Sequence, residues 1–214
     1  MTPEEVLGLF RASGALLEGH FELSSGLHSE RYFQCARLLE DPRRAGELAG
    51  ALADQLRAAD QAPIELVVGP AIGAVVWAQE MGRALGTHAI FTERSGGEMT
   101  LRRGFEVRPG ERVLIVEDVV TTGGSAREAL DVIRERGAEI VAVGTILNRS
   151  GGNPFAGEEG EGGEGLPLFS LAEAQAVAWE RDACPLCAAG GQAVKPGSRP
   201  GAAAASSAAG GQPA

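Results

Sequence analysis

Between residues 64 and 147 short apolar runs alternate with stretches of helical period, and few folds accommodate that alternation. Residues 64–68, 88–92, 112–117 and 139–147 are short and apolar enough to be buried strands. Residues 71–85 and 125–136 place apolar side chains at helical spacing, as at Ala126, Ala129, Leu130 and Ile133. Gly86 and Gly137 follow them as C-terminal stops. Strands alternating with helices imply an α/β fold built on a mainly parallel, doubly wound sheet. Two further helices are expected upstream. Thr2 is an N-cap, with Pro3 at the first helical position and Glu5 completing a capping box. Asp41-Pro42 opens a second helix to about Ala59, with Leu48, Leu52 and Leu56 on one face. Residues 15–39 read as irregular and extended, 95–104 and 150–165 as loops, and 166–171 as a last edge strand. One domain over 1–195 is expected, followed by a Gly, Ala, Ser and Pro tail at 196–214 that has almost no core-forming residue and reads as disordered.

Charge and cysteine usage narrow the partners. The 19 basic and 29 acidic residues give a formal net charge of −10, which argues against holding nucleic acid by bulk charge. No apolar run approaches the ~18–20 residues of a membrane span. The first twenty residues lack a basic segment of the secretory kind, and three cysteines do not make a disulfide framework, so a reducing cytoplasm is the expected location. Lys195 is the one lysine; every other basic residue is arginine, so a site before residue 195 has no lysine to use.

The most informative stretch runs from Val113 to Ser125. A buried strand ends in Glu117 and Asp118. Val119, Val120, Thr121, Thr122, Gly123, Gly124 and Ser125 then form a small hydroxyl- and glycine-rich turn that opens a helix. Ligands of open α/β sheets bind beyond the carboxyl ends of strands. A helix N-terminus with free N–H groups suits a phosphate, and glycines let the backbone approach it. The acids suit vicinal sugar hydroxyls, or a magnesium ion reached through water. An acidic pair beside a phosphate cradle therefore implies a sugar phosphate.

This stretch resembles the ribose-phosphate signature of the type I phosphoribosyltransferases, whose donor is phosphoribosyl pyrophosphate (PRPP). The resemblance implies that Glu117 and Asp118 hold the ribose hydroxyls and that Thr121 to Ser125 hold the 5-phosphate. Three other segments resemble the orotate-specific branch of that family. Residues 21–33, containing Ser25, Gly26, His28, Ser29, Tyr32 and Phe33, look like its N-terminal hood, which spans about 1–40. Gly69, Pro70, Ala71, Ile72 and Gly73 look like its pyrophosphate loop. Leu147, Asn148 and Arg149 look like the strand end whose arginine meets the orotate carboxylate. Guanidinium is in itself suited to bidentate carboxylate recognition. The resemblance further implies orotate contacts from Thr121 and Phe33, magnesium reached indirectly through Asp118, and a homodimer with shared active sites.

The chain departs from the pattern where many members carry lysine. Ser24 occupies the hood position and Gly73 lies near the pyrophosphate-loop position. The mobile loop, about 93–105, offers Arg94, Arg102 and Arg103 instead. Arginine can neutralise pyrophosphate but stays ionised, so it replaces a lysine as a charge and not as a proton donor. Two alternatives remain at this level: a phosphoribosyltransferase for another base such as a purine, and a non-catalytic PRPP-sensing regulator. Cys184-Pro-Leu-Cys187 has the spacing of half a zinc site. His20, His28 and His88 lie far upstream, so a tight turn is the expected reading. Cys35 and Trp77 are expected in the core, Trp179 as an anchor for the C-terminal segment, and 158–164 as a solvated acidic run.

Overall fold

The computed structural model describes residues 1–23, 26–61, 63–158, 165–174 and 177–196. The expected tail from 197 onward, Ser24, Ser25 and residues 159–164 of the acidic run lie outside them. The chain forms two compact units. One comprises Met1–Leu17 and Phe33–Ala176, the other Glu18–Tyr32 and Val177–Ala214.

In the first unit the sheet order is β5 (Glu98–Thr100), β4 (His88–Ser95), β3 (Leu66–Pro70), β6 (Arg112–Val120), β7 (Glu139–Asn148), β8 (Leu168–Glu173). All neighbouring pairs are parallel except β4 with β5, which is antiparallel. Alternate side chains of each strand serve opposite faces. Leu114 and Val116 join one apolar cluster with the helices α1 (Pro3–Ala12), α2 (Cys35–Leu39), α3 (Pro42–Ala58) and α4 (Ala74–Leu85). Val113 and Ile115 join the other with α5 (Gly124–Arg134). The sheet is thus covered on both faces, the doubly wound arrangement expected from the alternation. Both N-terminal caps form as expected: Thr2 and Glu5 make the capping box, and Asp41 accepts from the Arg43 N–H. Cys35 and Trp77 are buried in the core.

Three expectations for this unit are corrected. Residues 35–39 are the helix α2 rather than extended chain. Residues 95–104 are not simply a loop, because β4 runs on to Ser95 and turns at Gly96 and Gly97 into β5. Glu158 is not merely solvated: Arg127 and Arg134 bind it at 3.2 and 2.9 Å.

In the second unit β2 (His28–Phe33) lies between β1 (Leu16–Glu22) and β9 (Ala178–Trp179), with His28 opposite Trp179. Trp179 thereby ties the C-terminal segment to β2, the anchoring expected of it. Pro185–Ala188 forms a short helix, α6. The histidines expected to be remote from the cysteines are not: His20 and His28 lie beside Cys184 and Cys187.

Candidate active site

The chain leaves β3 through α4 to β4 on one side, and β6 and β7 continue on the other. The strand order therefore diverges between β3 and β6, and ligands of such sheets bind in the crevice at that point. Gly69 and Pro70 end β3, and the Ala71 N–H donates to the Thr92 carbonyl at 2.7 Å. Gly73 closes this loop against β6. A β-carbon on Gly73 would lie 3.1 Å from Asp118 Oδ1, so a lysine there would crowd the carboxylate.

Glu117 and Asp118 are half-buried within β6 rather than at its end: the strand continues to Val120, so Val119 and Val120 belong to it and not to the expected turn, because both still pair with β7. Burial and the neighbouring Asp118 charge push the Glu117 carboxyl up from 4.5 to about 8, against hydrogen bonds from the Ser125 hydroxyl and the Ala126 N–H. Burial also raises Asp118, opposed by the Val119 N–H, which donates to Oδ1 at 3.0 Å. The pair is thus held by dipolar donors in a desolvated setting that disfavours its charge. Both offer oxygen donors alone, and a hard divalent cation fits such a set.

The turn that follows is shaped by packing. Gly123 has φ 76°, and a β-carbon there would lie 2.8 Å from the Phe155 ring. Only glycine serves both the left-handed backbone and the close approach. Arg127, which sequence reasoning did not single out, braces the turn from behind. Its guanidinium donates to the Thr122 carbonyl at 2.8 Å and to the Pro154 carbonyl, binds Glu158, and lies 5.5 Å from the Phe155 ring centre. Its place one helical turn past Gly123 is the one signal that could have found it. Thr121, Thr122 and Gly124 are exposed at the mouth of this turn. Val120 is a core side chain and Val119 packs partly against the core, so both face a ligand with backbone alone.

The acceptor residues meet on the other side of β6. Val120 pairs with Asn148, and the Arg149 N–H donates to the Val120 carbonyl at 2.8 Å. Thr121 and Arg149 are therefore adjacent strand ends. The Arg149 guanidinium lies 5.4 Å from the Phe33 ring centre, a cation–π contact. Beneath them, the Cys35 thiol reaches the Asp118 carbonyl at 3.8 Å, and burial raises it well above the ordinary thiol range.

The loop arginines are placed elsewhere. Arg103 holds Glu93 through two bonds of 2.9 and 3.0 Å and lies over Phe91, while Arg102 approaches Glu93 at 3.9 Å. Arg94 pairs with Glu128 on α5 and donates to the Gly97 carbonyl. The hairpin holds its own charges in ion pairs, and the structure does not gather them at Glu117 and Asp118.

Known proteins extend this picture. Residues 35–155 match the phosphoribosyl transferase domain. The chain is 48% identical over 200 residues to an orotate phosphoribosyltransferase of Acidithiobacillus ferrooxidans, covering 93% of this chain and 98% of that one. It is 50% identical over 191 residues to that of Carboxydothermus hydrogenoformans, covering 89% and 95%. The crystal structure of orotate phosphoribosyltransferase from Aeropyrum pernix superposes with a TM-score of 0.62 at 27% identity, over 78% of this chain and 93% of that one. A sheet whose strand order diverges between β3 and β6, an acidic pair near the end of β6 and a glycine-opened helix thus coincide with the matched domain, and the chain belongs to the phosphoribosyltransferase family. Within that family its relatives at about half identity are the orotate phosphoribosyltransferases.

Proposed function

We propose that this chain is an orotate phosphoribosyltransferase, transferring the phosphoribosyl group of PRPP to orotate to give orotidine 5-phosphate and pyrophosphate in pyrimidine nucleotide synthesis. The observation that carries this reading is the β6–β7 register, which sets the Glu117–Ser125 turn and Arg149 side by side at one sheet edge. The ribose hydroxyls of the donor hydrogen-bond to Glu117 and Asp118. The 5-phosphate lies against the turn, with Thr121 and Thr122 adding hydroxyl donors; the Ser125 hydroxyl is engaged with Glu117. Gly69 and Pro70 back the pyrophosphate. Arg149 faces the orotate carboxylate, with Thr121 and Phe33 beside it.

The C1–oxygen bond to pyrophosphate breaks, a bond from C1 to an orotate ring nitrogen forms, and the ring N–H proton is carried off by the departing pyrophosphate. The ribose passes through an oxocarbenium-like state, so catalysis rests on positioning and on charge neutralisation rather than on a protein nucleophile. Arg94, Arg102 and Arg103 neutralise the departing pyrophosphate by exchanging Glu93 and Glu128 for phosphate oxygens when the loop closes and excludes water. Magnesium fits beside Asp118, through water or through the donor's hydroxyls, and supplies further neutralisation of the leaving group. The enzyme acts in the cytoplasm as a homodimer in which each loop reaches the neighbour's site; the family resemblance supports that assembly. Among the described residues no helix is long and apolar enough to cross a membrane.

The test is direct. Purified protein mixed with PRPP, magnesium and orotate should lose orotate absorbance and form pyrophosphate. A preference for hypoxanthine or adenine over orotate would overturn the acceptor.

A further inference from the structure

The second unit holds a group of side chains that phosphoribosyl transfer does not use. His20 from β1, His28 from β2, and Cys184 and Cys187 at the start and within α6 bring four ligating atoms within 4.8 Å of one another. His20 Nε2 lies 2.8 Å from His28 Nδ1, 3.4 Å from the Cys184 sulfur and 3.7 Å from the Cys187 sulfur. The Cys187 sulfur lies 3.3 Å from His28 Nδ1. Zinc bonds of ~2.3 Å to sulfur and ~2.0–2.1 Å to nitrogen, at tetrahedral angles, separate ligands by about 3.4 Å (N to N), about 3.6 Å (N to S) and about 3.8 Å (S to S). The cluster matches that spacing to within a few tenths of an ångström at three of the four measured distances. The two imidazole nitrogens stand closer together than bound ligands would.

Hydrogen bonding alone does not account for the convergence. A ring nitrogen donates one proton or accepts through one lone pair, yet His20 Nε2 faces three partners. A cation at the centre uses all four lone pairs at once. Two thiolates and two neutral imidazoles also balance a divalent charge, so the filled site can be half-buried without leaving a net charge.

The unit itself has reason to need such a link. Among its described residues only Phe21, His28, Ser29 and Cys184 are buried, and two of these belong to the cluster. Units below ~70–80 residues rarely hold together on apolar burial alone and are commonly stapled by metals or disulfides. The four ligands come from two strands and a C-terminal helical turn separated by more than 150 residues, so closing them ties together chain segments that short hydrogen-bonded ladders otherwise join.

We propose that His20, His28, Cys184 and Cys187 bind one zinc ion in a closed tetrahedral site whose role is structural. All four positions are filled by protein, which leaves none for a substrate or an activated water.

Untagged full-length protein, purified without chelator and under reducing conditions, should carry about one zinc per chain by elemental analysis. Protein stripped by a chelator should melt several degrees lower and recover on adding zinc, but not magnesium. The stripped protein should also take up one cobalt(II), with the intense visible bands of tetrahedral coordination and a near-ultraviolet thiolate-to-cobalt band. The cobalt spectrum reads the wild-type chain, so it decides the matter even if the Cys184→Ser, Cys187→Ser or His20→Gln variants fail to fold. Those that fold should lose most of their zinc. Reduced protein that contains no zinc and takes up no cobalt would overturn the site, as would a Cys184→Ser variant with undiminished zinc. A Cys184–Cys187 disulfide in freshly purified protein handled without reductant would also overturn it.

Discussion

The end of β6 with the turn that follows it, residues 117–125, and the hairpin at 93–105 hold charge in opposite ways. Glu117 and Asp118 are half-buried and held by N–H and O–H dipoles, and both carboxyls are pushed above their ordinary range. The hairpin arginines are exposed and sit in ion pairs, Arg103 with Glu93 and Arg94 with Glu128. Desolvated acids with no cationic partner beside them are a site built in advance, because a ligand that donates to them relieves a cost of desolvation already present. Exposed ion pairs contribute little and exchange partners readily. The acidic turn therefore acts by preorganisation and the hairpin by availability, and substitutions in the first region should have much larger consequences.

The largest effect is expected beside the turn, at Arg149. Orotate differs from uracil by a carboxylate, and no lysine precedes residue 195. A charge-assisted pair removed from a desolvated site costs ~2–5 kcal/mol, or tens- to thousands-fold in affinity. Arg149→Met should weaken orotate by that factor and leave PRPP nearly unaffected, because the donor rests on Glu117–Ser125. Dissociation constants for both ligands in the folded variant are the measurement; equal losses for the two would reject Arg149 as the carboxylate partner.

Asp118→Asn comes next. Charge-assisted hydrogen bonds to a sugar hydroxyl are worth ~1.5–3 kcal/mol, so kcat/KM should fall by about tenfold to a hundredfold with the fold intact. Turnover within about twofold of the wild type would break the assignment, since tenfold corresponds to about 1.4 kcal/mol. The same variant tests the shared site. Mixed with Arg103→Ala subunits, it should regain activity in heterodimers, and sedimentation showing monomer alone at assay concentrations would remove the dimer.

How much of this contrast was legible beforehand depends on how locally each feature is encoded. The acidic turn could be read because strand, acids, glycines and helix are contiguous. The helix bounds held where capping residues mark them, as at Thr2, Asp41 and Gly86. Helix α2 was missed because its Gln34 cap makes no side-chain hydrogen bond and its five residues are too few for the i, i+3, i+4 spacing of the buried Cys35, Leu38 and Leu39 to stand out as a period. The β4–β5 pairing was missed because Thr92 to Thr100 is polar and no alternation marks it. The Phe33–Arg149 contact and the convergence of His20 with Cys187 join residues more than a hundred positions apart. Spacing rules cannot see such pairs, and there the family resemblance named Phe33 and Arg149 without supplying their contact.

Glu117 offers a smaller effect that reads the preorganisation through pH. The folded carboxyl keeps its proton up to about pH 8, whereas an ordinary glutamate releases it near 4.5. The folded state therefore binds more protons than the unfolded state between those values. This group's contribution to stability is unaffected below about pH 4.5, declines as pH rises through the window and levels off above about pH 8. The ionised form is the better acceptor for ribose hydroxyls, so kcat/KM for PRPP should rise with pH toward about 8, the constant of the free enzyme. Glu117→Gln should flatten that limb while the limb set by the donor's own phosphates stays. A limb that survives unchanged in the variant would assign the titration to another group.

The smallest effect belongs to the hairpin, and it separates availability from preorganisation. Glu93 holds Arg103 through two bonds and Arg102 more loosely. The Arg103 side chain is 58% exposed, so solvent screens the pair, and its loss should not measurably change the melting temperature. Closure on PRPP requires the arginines to leave Glu93 for phosphate oxygens. Glu93→Gln keeps the shape of the side chain, removes the competing charge and frees both guanidinium groups in advance. The KM for PRPP should fall by no more than a few-fold, and orotate binding should not change. Because bound donor is then held more tightly, kcat should be unchanged or slightly lower where release is slow. Steady-state kinetics in magnesium at two salt concentrations are the measurement, and the gain should shrink at high salt as screening weakens the pair in the wild type too. A KM that rises by tenfold would mean that Glu93 positions Arg103 for the leaving group rather than storing it, and the hairpin would then be as preorganised as the turn.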